Sequence, residues 1–179
     1  MATWKSRGLR GSAFEEWINR TNEVYEENKL CLIQKVPTPI TPIKMDQQSR
    51  HITLAYFEKK STVDYIGVVQ GLPVCFDAKE CHTDTFPLQN IHDHQVEFMK
   101  HFEEQEGIAF ILICFTARDE FYYLRYRELE NFWERARQGG RKSIRREELD
   151  EGYFFVRKNV LMVPYLDKLQ KDLSERGDT

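Results

Sequence analysis

Thr62-Val63-Asp64-Tyr65-Ile66-Gly67-Val68-Val69-Gln70-Gly71-Leu72-Pro73-Val74-Cys75-Phe76-Asp77-Ala78-Lys79 reads as two strands joined by Gln70-Gly71, a connection of hairpin length. With those two residues as the turn, Val69 faces Leu72 and every outward pair of numbers sums to 141. Asp64 then falls opposite Asp77, and Thr62 opposite Lys79. Side chains alternate across a strand. Thr62, Asp64, Asp77 and Lys79 therefore project from one face, while Val74, Phe76 and Ala78 mark the predicted core side. Two opposed carboxylates would sit about 5 Å apart and repel. Amid apolar neighbours, with the Lys79 ammonium two residues along, that pairing makes sense around a divalent cation. Oxygen ligands of this kind favour Mg²⁺, with waters and substrate phosphate completing the shell. Such an ion polarises phosphoryl oxygens and acidifies an attacking water, and Lys79 would stabilise charge building on the phosphate. An Asp-x-Lys tripeptide alone is common. Its placement thirteen positions after Asp64, in a register that joins them, is far more specific. The competing reading is a surface cluster that only forms an ion pair.

Outward from the hairpin, Ser12-Ala13-Phe14-Glu15 has capping-box spacing, and Phe14, Trp17, Ile18, Thr21 and Tyr25 recur at helical spacing, predicting a helix over 13–28. A strand is expected over 30–36. Pro37, Pro39 and Pro42 exclude a helix interior or a central strand next. With the strand-like 51–57, residues 37–60 read as an arm inserted between two core elements. After Lys79 come a loop to Pro87, a helix over about 91–105 capped by Asn90, strands over 108–116 and 121–126, a helix over 127–138 ended by Gly139-Gly140, a short strand near Phe154 and a helix from Pro164. This order predicts a single mixed α/β domain over 1–179, with the arm as an insertion.

The chain has 179 residues, 41% hydrophobic and 31% charged, a composition ordinary for one globular domain. Its opening residues hold no signal-like apolar run and no stretch is long enough to span a membrane, so a cytoplasmic protein without a membrane partner is expected. Four cysteines show no zinc or redox spacing. Net charge is −3, yet six basic residues and no acid lie between Arg135 and Arg146. Local patches rather than net charge decide whether phosphate is held. Arg141, Lys142, Arg145 and Arg146, with Arg7, Arg10 and Lys44, are the candidate DNA contacts; a solvated helix face is the alternative for the run.

Asp64…Asp77-Ala78-Lys79 resembles the PD-(D/E)xK nuclease motif, and the surrounding residues resemble the RecU Holliday-junction resolvases. The matches are Asn19-Arg20-Thr21-Asn22, Lys35-Val36-Pro37-Thr38-Pro39, Ser61-Thr62-Val63-Asp64-Tyr65, Phe76-Asp77-Ala78-Lys79-Glu80, Phe86-Pro87-Leu88-Gln89-Asn90, His92-Asp93-His94-Gln95 and Gln138-Gly139-Gly140-Arg141-Lys142-Ser143. They run in order over nearly the whole chain. The resemblance implies a restriction-endonuclease-like fold, with a central mixed sheet flanked by helices and a projecting stalk at the arm. It implies a homodimer that nicks four-way DNA junctions symmetrically in recombination and repair, uses Mg²⁺ or Mn²⁺, and contacts a RecA-type recombinase. By position, Thr62, Asp64, Asp77 and Gln95 would be metal-site residues, and Lys79 the transition-state stabiliser. Glu15, on a helix flank with Asn19 and Asn22, is either a member of the site or the cap partner of Ser12. Asp77 stands where that family usually has Glu. Two other functions stay open: a nuclease for another DNA shape, or a non-catalytic junction binder that regulates recombination.

Overall fold

The computed structural model describes residues 12–46, 48–49, 51–57, 62–158 and 161–177. In chain order, α1 (Ala13–Glu27) leads to β1 (Cys31–Lys35), β2 (Ile40–Met45), β3 (Ile52–Phe57), β4 (Tyr65–Val69) and β5 (Leu72–Cys81). Then come β6 (Thr85–Pro87), α2 (Asp93–Glu104), β7 (Ile108–Phe115), β8 (Glu120–Arg125) and α3 (Tyr126–Arg137). The chain closes with β9 (Ser143–Arg145), β10 (Phe154–Phe155) and α4 (Leu166–Arg176). Six strands form one sheet in the order β1-β4-β5-β7-β8-β10. Only β5 and β7 run parallel, because α2 carries the chain back across the sheet between them. The fold is a mixed α/β domain with a central mixed sheet flanked by helices. Among the described residues no helix is long and apolar enough to cross a membrane.

Both faces of the sheet are covered, which explains why β7 is a continuous apolar run, buried at every position. On one face Tyr65, Phe76 and Phe110 stack across three strands, with ring centroids 4.7 and 4.8 Å apart. There α1 lies over Tyr65, whose hydroxyl donates to Asn19 Oδ1 at 2.9 Å, and Tyr165, just before α4, packs on Phe76 and Phe110. The other face, bearing Cys75 and Asp77, lies under α2. The expectation that Val74, Phe76 and Ala78 alone mark the core side is thus too narrow: Cys75 and Asp77 have no exposure.

Some boundaries differ from the sequence reading for local reasons. Leu88–Asn90 form a 3-10 turn, so α2 starts at Asp93 and its cap is His92 rather than Asn90. The basic segment after α3 contains β9, which pairs with β6 in a small second ribbon. All four cysteines are free and buried, as small hydrophobes.

The arm is a two-stranded ribbon, β2 with β3, that pairs with no other strand among the described residues. Its register shifts between Pro42 and Met45, where Pro42 interrupts regular pairing. Ile43, Met45 and Tyr56 are each more than half exposed. A lone two-stranded ribbon contributes little to stability. Replacing residues 40–57 by a short Gly-Ser linker should therefore leave the thermal midpoint within about 4 °C of wild type, under roughly 1 kcal/mol in a chain of this size. A drop well beyond that in a calorimetric scan would make the ribbon part of the core.

Candidate active site

The β4–β5 hairpin has the register derived from its turn: Val69 pairs with Leu72 and Tyr65 with Phe76. Gln70 and Gly71 both have positive φ, 50° and 88°, as a type I′ turn requires. The ladder ends at Tyr65, and side-chain bonds take over. Asp64 N–H donates to Asp77 Oδ1 at 3.2 Å, and Ala78 N–H donates to Asp64 Oδ2 at 3.0 Å. Each carboxylate thus accepts from the other strand's backbone. Thr62 lies beyond the ladder instead of pairing with Lys79, and its carbonyl accepts from Gln95 Nε2 at 3.4 Å.

Asp77 is the most confined of these groups. Its Oδ1 also accepts from Gln95 Nε2 at 2.9 Å. Its Oδ2 has no hydrogen bond among the described residues and faces the Lys79 ammonium 2.5 Å away. Burial, then the charge of Asp64, pushes the Asp77 carboxyl up to about 7 against the opposing pull of Lys79. Lys79 is near the end of β5 and keeps a partly exposed side chain.

Gln95 is buried because α2 lies over this face, and its position follows from the helix start. Its amide oxygen accepts from His92 N–H at 3.1 Å, one half of a capping box. That leaves its amide nitrogen for Asp77. Glu15 is placed differently. Its N–H donates to the Ser12 hydroxyl at 3.2 Å, while its carboxylate pairs with Lys35. It sits on α1, over the opposite face from Asp77. The Tyr65 phenol is pushed above its usual value by burial first and then by Glu15, Asp64 and Asp77. The three carboxylates therefore share one electrostatic neighbourhood without sharing a face.

The donor set suits a hard cation. Among the described residues no three His, Cys, Asp or Glu side chains gather. Cys81 points its thiol at the Thr83 and Thr85 carbonyls. What converges is two carboxylates linked through backbone N–H groups, one buried oxygen that faces the Lys79 ammonium, and nearby carbonyl and amide groups. Mg²⁺ is held by this kind of sparse oxygen set, which leaves room for waters and substrate phosphate.

The candidate DNA contacts are less uniform than the sequence suggests. Arg7 and Arg10 lie outside the described residues. Lys44 is exposed on β2. Arg141 pairs with Glu148 at 3.4 Å and Arg145 with Glu147 at 2.9 Å. Arg146 binds Glu120 and Glu151 at 2.6 and 2.9 Å and lies over the Phe154 ring. Lys142 makes no ion pair with any described residue. The acids that neutralise the run lie just beyond it or on β8, so the basic window alone could not reveal them.

Comparison with known proteins gives consistent matches. The family described as Recombination protein U (RecU) matches residues 9–171. The chain is 44% identical to the Holliday junction resolvase RecU of Bacillus licheniformis over 146 residues, 79% of this chain and 73% of that protein. The protein of the same name from Bacillus cytotoxicus is 43% identical over 148 residues, 80% and 74% of the two chains. Among solved structures, the Holliday junction resolvase Hjc of Archaeoglobus fulgidus overlaps 65% of this chain and 78% of its own, with a TM-score of 0.41 and 9% identity. That last likeness is too slight to carry weight.

The raised Asp77 carboxyl gives a pH dependence whose sign can be worked out. Unfolded, an Asp loses its proton near 3.9; folded, Asp77 holds it to about 7. Between those values the folded state binds more protons, so metal-free stability should fall as pH rises from about 4 to 7. Asp77→Asn should flatten that decline and melt higher than wild type at pH 8 in EDTA. Parallel melting curves for the two proteins across this range would contradict the assignment.

Proposed function

Because the chain belongs to the Recombination protein U family, we propose that it is a Holliday junction-resolving endonuclease, hydrolysing phosphodiester bonds of four-way DNA junctions in recombination and repair. The observation that carries this reading is the locked pair of carboxylates, Asp64 and Asp77, beside Lys79 at the mouth of one hairpin. Asp64 and Asp77 would hold Mg²⁺, or Mn²⁺ in its place, with Thr62 at its border and Gln95 orienting Asp77. When bound, the ion supplies Lewis-acid polarisation of the phosphate and an acidified water.

This chain's own groups do the rest. Lys79 offers a positive charge where the phosphorane develops negative charge, already aimed by its contact with Asp77. Gln95 fixes Asp77 through an amide that is itself fixed by the start of α2, so the ligand does not need to reorganise. Lys44 on the ribbon and Arg141, Lys142 and Arg145 near β9 contact backbone phosphates, as do Arg7 and Arg10. Arg146 is committed to internal acids and contributes least. Glu15 tunes the site's field across the sheet through Lys35 and Tyr65. Two symmetric nicks need two such sites, hence a homodimer, with the ribbon as the stalk that meets the junction centre. The setting is the cytoplasm, alongside a RecA-type recombinase.

Cleavage of a synthetic four-way junction, compared with linear duplex, in Mg²⁺ and in EDTA tests the proposal directly. Wild type should cut the junction only with metal. Asp64→Asn and Asp77→Asn should each reduce cutting to background while junction binding survives, and Lys79→Ala should cost on the order of 10²-fold. Metal-independent cutting, or near-normal cutting by either Asn variant, would sink the site. The variant lacking residues 40–57 should lose its preference for junctions over duplex; retained preference would move shape recognition elsewhere.

A further inference from the structure

Two cations of the basic segment, Arg137 and Lys142, make no ion pair with any described residue, whereas Arg135, Arg141, Arg145 and Arg146 all do. Both free cations line one open cavity of about 460 Å³, floored by Leu88, Ile91, Trp133 and Ala136. That volume is in the roughly 300–1,000 Å³ range of sites that take a small organic group. The local sequence builds this cavity. Helix α3 ends in a Schellman turn: Gly139 adopts φ 88°, its N–H donates to Ala136 O at 3.2 Å, and Gly140 N–H donates to Arg135 O at 2.9 Å. The chain therefore doubles back. Lys142 comes alongside, and its carbonyl is pinned by Leu88 N–H at 3.1 Å. A Cβ at Gly140 would lie 2.8 Å from Arg135 O, so the reversal is tight.

We propose that this cavity binds an unpaired nucleotide of the DNA strand leaving the active site, its base against the Trp133 ring and its phosphates on Arg137 and Lys142. The inference rests on the nuclease reading above and adds a subsite to it. Continuity of the chain favours DNA. Ile91 and Asp93 border the cavity and bracket His92, the cap of α2. His92 shares its capping box with Gln95, which holds Asp77. The cavity thus opens at the N-terminal end of α2, the helix that carries Gln95, on the same side of the sheet. An aromatic wall with unneutralised cations is the combination by which proteins track single strands irrespective of sequence. Asp93, on the α2 rim, is the acid that a phosphate would avoid, which puts the anionic part on the α3 side. Placement of Arg137 in the last turn of α3 also suits the helix dipole, but that does not account for Lys142 facing it across the turn.

The test is binding in EDTA, independent of cleavage, using a short oligothymidine and following tryptophan fluorescence. Wild type should show quenching that Trp133→Phe loses in part and Trp133→Ala loses together with roughly 5- to 100-fold of affinity. Arg137→Ala with Lys142→Ala should flatten the log–log salt dependence by about 0.7 per lost phosphate contact. These two side chains have no ion pairs with any described residue, so the double variant should fold normally, and a thermal melt checks that. Absence of Trp133-dependent quenching, or an unchanged salt slope in the double variant, overturns the proposal. So does stronger quenching by poly-glutamate than by the oligonucleotide, which would assign the cavity to an acidic peptide. Failure of wild type to cut junctions would sink the nuclease reading instead, and the two failures are read in separate assays.

Discussion

A carboxylate sealed from solvent must find charge or protons nearby, and Asp77 is that carboxylate here. Burying it ionised and unpaired would cost several kcal/mol. The surrounding structure supplies what it needs from three directions: Asp64 N–H from β4, the Gln95 amide from α2, and the Lys79 ammonium from its own strand. None of these substitutes for the others. The first depends on the hairpin register, the second on where α2 starts, and the third on the alternation of β5. Hairpin, helix and site are therefore one arrangement.

The register was legible because a two-residue turn leaves only one parity for the side chains. That parity put Asp64, Asp77 and Lys79 together before any tertiary contact was considered. What stayed hidden was the neighbour of β5. A parallel partner comes with helices that cover both faces of the sheet, and only the unbroken apolar run of β7 hinted at it. Thr62 was misplaced for a related reason: the ladder stops at Tyr65, and hydrogen bonds from side chains, invisible in a pattern of alternation, take over. Gln95 entered the candidate site only through the resemblance, and its donor role stayed hidden, since its oxygen is used by a cap at His92 rather than at Asn90.

Charge was harder to read than hydrophobicity. A run of cations looks like a phosphate-binding face, yet Arg135 and Arg141 share Glu148, and Arg146 reaches back to Glu120 on β8. Whatever these pairs add to stability, they decide which cations are free to meet a phosphate. Long side chains find partners far along the chain, so a local window counts charges without knowing their commitments. The fold sorts the run into residues that hold the β6–β9 ribbon in place and residues that face outward.

The shorter arm of Asp77, at a position where the resemblance to RecU leads one to expect Glu, fits this same geometry. In the structure Asp64 and Asp77 each accept a hydrogen bond from the opposite strand's backbone, so the two carboxylates extend the hairpin by one step after the ladder stops. An extra methylene at position 77 would move the carboxylate oxygens off the positions where they accept from Asp64 N–H and face Lys79. Asp trades reach for a tighter hold, because both of its oxygens stay close to the strand that bears it. The result is a carboxylate fixed by the sheet and by α2, beside a lysine that retains solvent access. A rigid anion next to a partly free cation is the division of labour that phosphodiester hydrolysis asks of a site: one group must not move, and the other must meet the charge that develops.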